Sequence, residues 1–130
     1  MTSPLPSCEI RITQDLIDRY AQLSGDFNPI HVDPMAAAQS PFGGTIAHGC
    51  IPLEPVFQSL MQWRGIEHLP HGARLKLRYR APSRPGDTIR SELTLIPHDR
   101  ESPSDHIRVT FTCVNQHGHT VLDGECEWQP

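Results

Sequence analysis

The strongest constraint on the fold is where the strand-like runs fall: four of five lie after residue 73, behind one long apolar helical run. In these four runs apolar and polar side chains alternate with the period of two that a half-buried strand requires. Leu75, Leu77 and Tyr79 alternate with Arg74, Lys76, Arg78 and Arg80, and Ile89, Leu93 and Leu95 alternate with Arg90, Glu92 and Thr94. Ile107, Val109, Phe111 and Cys113 make one face of a third strand, and Leu122, Cys126 and Trp128 one face of a fourth. Pro82 to Asp87 reads as a turn, Gln116-His117-Gly118 as a hairpin and Pro97 to Asp105 as a flexible connector. Upstream, Leu53, Val56, Phe57, Leu60 and Met61 keep helical spacing from about Ile51 to Trp63. Strands with one apolar face need a cover, and this helix is long enough to supply it. The prediction is an α+β domain, an antiparallel sheet packed on one long helix.

The first fifty residues are less regular. Cys8, Ile10 and Ile12 alternate with Glu9 and Arg11 as a fifth, short strand. Thr13 caps a helix whose apolar stripe is Leu16, Tyr20 and Leu23 and whose stop is Gly25. From Gly25 to Gly49 the chain reads as loop with one short helix, where Asp33 is the cap and Pro34 the first-turn residue ahead of Met35. Pro52 suits the first turn of the long helix. Pro55 removes an amide donor and crowds the preceding turn, which predicts a late start or a kink.

A chain of 130 residues, with 37% apolar and only 6% aromatic side chains, reads as one domain over 1–130 with a small core that a partner chain helps to complete. A formal net charge of −4 argues against a nucleic-acid partner. The start, MTSPLPSCEI, has neither a basic n-region nor an apolar h-region, and no apolar run reaches membrane-spanning length, so a cytoplasmic protein without a membrane partner is expected. Cys8, Cys50, Cys113 and Cys126 are too scattered for a disulfide or metal framework and read as free, buried thiols. His68, His71, His117 and His119 are close in sequence but have no acidic or cysteine partner to complete a ligand set. Neither a metal nor a cofactor is expected.

The chemistry falls in the long loop, an irregular stretch of the kind that small domains keep for function. Asp26 and His31 lie beyond a helix stop and on either side of the rigid Asn28-Pro29 corner, so a bent loop can bring them around one water. Adding water across a conjugated double bond needs a base for the water and an acid for the α-carbon, roles for which a carboxylate and an imidazole are suited. Charge developing on a thioester oxygen needs a donor, and the amide of Gly49, at the N-terminus of the long helix, is the candidate.

The run Tyr20 to His31, followed by Phe42-Gly43-Gly44-Thr45-Ile46-Ala47-His48-Gly49, resembles the signature of MaoC-like dehydratases, the R-specific enoyl-CoA hydratases of the hot-dog fold. Arg80 to Thr88 and Asn115 to Gly118 are similar to two further stretches of that family. The resemblance implies a sheet wrapped around the long helix, a homodimer with active sites near its interface, and acyl-CoA or acyl-carrier thioesters as substrates. It also implies Asp26 and His31 as the catalytic pair, Asn28 as a loop support and Gly49 as the oxyanion donor; which of the pair is base and which acid stays open.

Glu54 departs from the family, many of whose members have a small hydroxyl residue in the first turns of the long helix. Glu54 also supports a competing reading, a hot-dog thioesterase in which it activates water. A third reading is a non-catalytic acyl-thioester binding subunit. Arg74, Lys76, Arg78 and Arg80, with Arg84 in the next turn, make one basic stripe in an acidic chain. Its default role is a solvated strand face; the sharper one is a seat for CoA phosphates, with Arg84 first and Arg80 second.

Overall fold

The computed structural model describes residues 5–97 and 105–130. In chain order the elements are β1 (Glu9–Arg11), α1 (Gln14–Ser24), α2 (Pro29–Val32), α3 (Pro34–Ala38), α4 (Cys50–Arg64), β2 (Arg74–Tyr79), β3 (Thr88–Leu95), β4 (Ile107–Val114) and β5 (Thr120–Trp128). The five strands form one antiparallel sheet in the order β1-β3-β4-β5-β2. Residues 98–104 of the expected connector lie outside the described residues.

The period-two pattern puts Ile89, Val109, Phe111, Cys113, Leu122, Cys126 and Trp128 on the inner face, where α4 meets them with Ile51, Leu53, Val56 and Leu60. All are buried, and each fully buried aliphatic side chain stabilises the fold by about 1.5–3 kcal/mol. One polar link crosses this interface: the Ser59 hydroxyl on α4 lies 2.6 Å from that of Ser91 on β3, and Ser91 Oγ also accepts the amide hydrogen of Cys8. The α+β expectation, a hot-dog sheet around one long helix, describes this architecture. Among the described residues no helix is long and apolar enough to cross a membrane.

Several local expectations are corrected. Pro55 neither delays nor interrupts α4, which runs from Cys50. Pro52 takes the place of an amide that has no intrahelical partner in a first turn, so Pro55 alone removes a helix hydrogen bond; its ring is buried in the core. Leu23 is 84% exposed, because the buried line of α1 runs through Ile17 and Ala21 and the last turn carries Leu23 away from it. The Gly25–Gly49 stretch holds two short helices: Asn28-Pro29 opens α2 as Asp33-Pro34 opens α3, each acid or amide accepting from the first turn. Cys113 and Cys126 are buried, and burial pushes their thiols up to about 12 and about 11. Cys50 is exposed and Cys8 half-buried, contrary to the uniform burial expected. Tyr79 ends β2 on the inner face, opposite Leu122, as its alternation requires, but stays half-exposed where the sheet runs out over the start of α4.

Gly124 interrupts the inner face of β5, between Leu77 on β2 and Phe111 on β4. A side chain there would lie against the Lys76 carbonyl oxygen and 2.7 Å from Leu77 Cα, both backbone atoms that cannot turn aside. Gly124→Ala is expected to destabilise the fold by about 1–3 kcal/mol or more, as overpacking does, and a urea midpoint shift measures it. A midpoint equal to that of the unaltered protein would show that the two strands can separate without cost.

Candidate active site

α1 ends at Gly25, whose φ of +81° turns the chain out of the helix while its amide closes on the Ala21 carbonyl. Asp26 follows at once. Its carboxylate is oriented by two neighbours: Oδ1 accepts the Asn28 amide hydrogen at 3.1 Å, and Oδ2 lies 3.7 Å from Nε2 of His31. Asn28 caps α2 by accepting from the Ile30 amide, and that single turn lifts His31 back toward Asp26. The expected loop support is therefore a helix cap.

His31 is buried, and its Nδ1 lies 2.8 Å from the Ile46 carbonyl. A carbonyl only accepts, so the ring hydrogen of this bond sits on Nδ1, and Nε2 is the nitrogen that faces Asp26. The Ile46 amide in turn donates to the Ile30 carbonyl, which fastens α2 to the segment leading into α4. Gln14 braces the same junction from α1. Its side-chain amide donates to the His31 carbonyl at 2.8 Å, and its oxygen accepts from the Thr45 hydroxyl at 2.7 Å. Nothing in the sequence around Gln14 marks this role, since both partners reach it only through the tertiary fold.

Gly49 is the residue that opens α4, and no acceptor among the described residues takes its amide hydrogen. A Cβ here would lie 2.6 Å from the Tyr79 hydroxyl oxygen, so glycine is what lets β2 end directly over the start of the helix. His31, Gly49 and Tyr79 line one cavity of about 480 Å³ with Phe42, Ile46 and Pro52. Burial, then the proximity of Cys50 and Cys113, raises the Tyr79 phenol above its usual range. Tyr20 is pushed up to about 12, first by hydrogen bonding with Cys50, then by burial, with Cys50, Asp26 and Tyr79 adding to it.

The remaining candidates divide. Arg80 lines the cavity but is held by Asp123 through two hydrogen bonds of 3.1 and 3.2 Å. The Arg84 guanidinium borders Gly44 and has no carboxylate partner among the described residues, while the main chain of its turn is closed by Asp87. Glu54, half-buried on α4, is not among the residues that line the cavity. His68, His71, His117 and His119 are exposed.

One residue without an assigned role joins the centre. His48 is buried, stacks on His31 with ring centroids 3.9 Å apart and 26° between planes, and lies tilted against Tyr20 with centroids 4.7 Å apart. The sequence signal for it was an ionisable residue inside the otherwise apolar run into α4. Asp26, His31 and His48 hold their donor atoms within 4.8 Å of one another. Ligand lone pairs lie in the ring plane, and two nearly parallel stacked rings do not aim at a common point within a zinc–nitrogen bond of about 2.0–2.1 Å. This geometry does not suit one ion shared by both histidines.

The sequence model of the MaoC like domain matches residues 2–115. A 3-hydroxyacyl-thioester dehydratase Z of Mycobacterium tuberculosis is 37% identical over 90 residues, 67% of this chain and 60% of that protein. A 3-hydroxybutyryl-CoA dehydratase of Methylorubrum extorquens is 33% identical over 112 residues, 82% of this chain and 65% of that protein. The chain thus matches less than two thirds of the length of these curated relatives. An unliganded R-hydratase of Pseudomonas aeruginosa superposes with a TM-score of 0.75 and 27% identity, over 97% of this chain and 80% of that one. An (R)-hydratase from A. caviae has the same fold, with a TM-score of 0.78 and 23% identity over 99% and 98% of the two chains. The chain belongs to the MaoC-like dehydratase family.

Proposed function

We propose that this protein adds water reversibly to a trans-2-enoyl thioester to give the R-3-hydroxyacyl thioester, with Asp26 and His31 as the acid/base pair. The observation that carries the reading is the 3.7 Å approach of Asp26 Oδ2 to Nε2 of His31 beside a cavity that also holds Gly49. Two acceptors at that spacing hold one water by its two hydrogens. The pair takes a proton as the water oxygen bonds to C3, and a proton is delivered to C2, so one water is consumed and none of the pair is changed. Negative charge moves onto the thioester oxygen between these steps, and the unpaired Gly49 amide, with the N-terminal dipole of α4 behind it, stabilises it. The names of the two curated relatives, both dehydratases of 3-hydroxyacyl thioesters, and of the Pseudomonas R-hydratase support the reaction and its stereochemistry.

Neither Glu54 nor Asp26 lines the cavity itself, but Asp26 approaches a histidine that does, and Glu54 has no such contact among the described residues. Residues 1–130 act as one domain in this proposal, in the cytoplasm. Leu23, Phe27, Met35, Phe42 and Tyr79 are exposed apolar or aromatic side chains, a set that suits a second copy in a homodimer. Arg84 receives a CoA phosphate, because its guanidinium borders the site loop without a carboxylate partner.

Loss of enoyl absorbance on mixing protein with a trans-2-enoyl-CoA tests the reaction. Asp26→Asn and His31→Ala are each expected to lower kcat by about 10²–10⁴-fold. Release of free thiol, seen with a thiol reagent, would replace this reading by thioester hydrolysis, and binding without turnover would replace it by a carrier role. Arg84→Glu is expected to raise the KM for enoyl-CoA at low salt by roughly tenfold or more, as loss of a charge-assisted bond does. The KM of the N-acetylcysteamine ester, which has no phosphate, should stay unchanged; equal KM values for both substrates before and after the change would remove Arg84 from the CoA site.

A further inference from the structure

We propose that His48 is a positioning residue for the Asp26/His31 pair, acting on each member through a separate contact. The assignment rests on the hydration reading above and deepens it.

The contact to Asp26 is a hydrogen bond: His48 Nε2 lies 2.9 Å from the Asp26 carbonyl oxygen. That oxygen only accepts, so the ring hydrogen of this bond is on Nε2. Asp26 is the first residue past the Gly25 turn, and its other hydrogen bonds among the described residues are from its amide to the Ser24 hydroxyl and from the Asn28 amide to its carboxylate. Those partners belong to the same short stretch and move with it. His48 is the contact that ties the Asp26 main chain to the start of α4.

The contact to His31 is a stack. The Ile46 carbonyl fixes where Nδ1 of His31 points, but one hydrogen bond leaves the ring free to tilt about that direction. The His48 ring, 3.9 Å away and inclined by 26°, opposes that tilt, and Tyr20 packs on His48 in turn with centroids 4.7 Å apart. Tyr20, His48, His31 and Asp26 thus form one continuous arrangement from α1 to the reacting pair.

A purely packing role does not account for the side chain. His48 is 4% exposed and its Nδ1 is buried without a partner among the described residues. An apolar residue of similar size would fill the space without isolating a polar nitrogen, so the imidazole is retained for what Nε2 and the ring face do.

Three variants separate the two contacts. His48→Gln keeps a donor near the place of Nε2 and loses the ring; His48→Phe keeps a ring face and loses the donor; His48→Ala loses both. Misplacement of a reacting group by about 1 Å costs on the order of 10²-fold, so His48→Ala is expected to lower kcat by about that factor. KM should stay within about twofold, and both single-contact variants should fall between. Backbone 15N relaxation over Asp26, Phe27 and Asn28 supplies a readout independent of turnover. Order should be kept in His48→Gln and lost in His48→Phe and His48→Ala, with circular dichroism checking that each variant is folded.

A folded His48→Ala protein with unchanged order over 26–28 and kcat within about twofold of the unaltered protein would overturn the proposal. So would a loss of order that is the same in all three variants, which is the mark of general loosening. If the unaltered protein hydrates no enoyl thioester, the hydration reading fails by itself, and the relaxation arm still decides whether His48 holds the Asp26 peptide.

Discussion

The arrangement depends on the bond between His31 Nδ1 and the Ile46 carbonyl, made where the α2 turn meets the segment leading into α4. It does two things at once. It settles which nitrogen of the ring is free to meet Asp26, and it anchors an otherwise exposed single-turn helix to the buried centre of the molecule. The amide of the same Ile46 returns the connection to the Ile30 carbonyl, so Ile30 and His31 on one side are both locked to Ile46 on the other. An isolated turn such as α2 has no stability of its own, since helix nucleation fixes several dihedrals for one hydrogen bond. Its persistence comes from this pairing and from the Asn28 cap.

How much of this the sequence revealed depends on the range of the interactions involved. Strand faces are written in alternation, a local property, and Ile89, Val109, Phe111 and Cys126 lie where their spacing puts them. Asp26, Asn28, His31 and Gly49 could be chosen because the chemistry and the family signature converge on them, and the fold brings them to one region. Gln14 could not be found this way: its partners are His31 and Thr45, and no local pattern encodes a brace between three distant segments. Leu23 and Pro55 depart from helical rules for the opposite reason, because their surroundings, not the local pattern, decide the outcome. At Leu23 the sheet is out of reach; at Pro55 the core accommodates the ring and one missing hydrogen bond is tolerated.

The cations of the basic stripe do not share one environment. Arg80, the residue after β2, reaches diagonally to Asp123, which stands opposite Arg78 in the β2–β5 ladder, and the bidentate geometry spends the guanidinium on that carboxylate. Arg84 lies beyond the ladder in a turn whose main chain is already closed by Asp87, so its charge is free of that duty. The stripe therefore divides by position: Arg74, Lys76 and Arg78 lie along β2, Arg80 is paired with Asp123, and Arg84 is placed by a turn beside Gly44.

The close approach of Tyr79 to Gly49 makes these two positions share one volume. Neither is therefore an independent variable in the natural history of the domain. A bulkier residue at 49 is admissible only where the residue at 79 is small or turned away, so among relatives the two should drift as a linked pair. The glycine that opens α4 thereby also decides which side chain closes the end of β2 over the cavity.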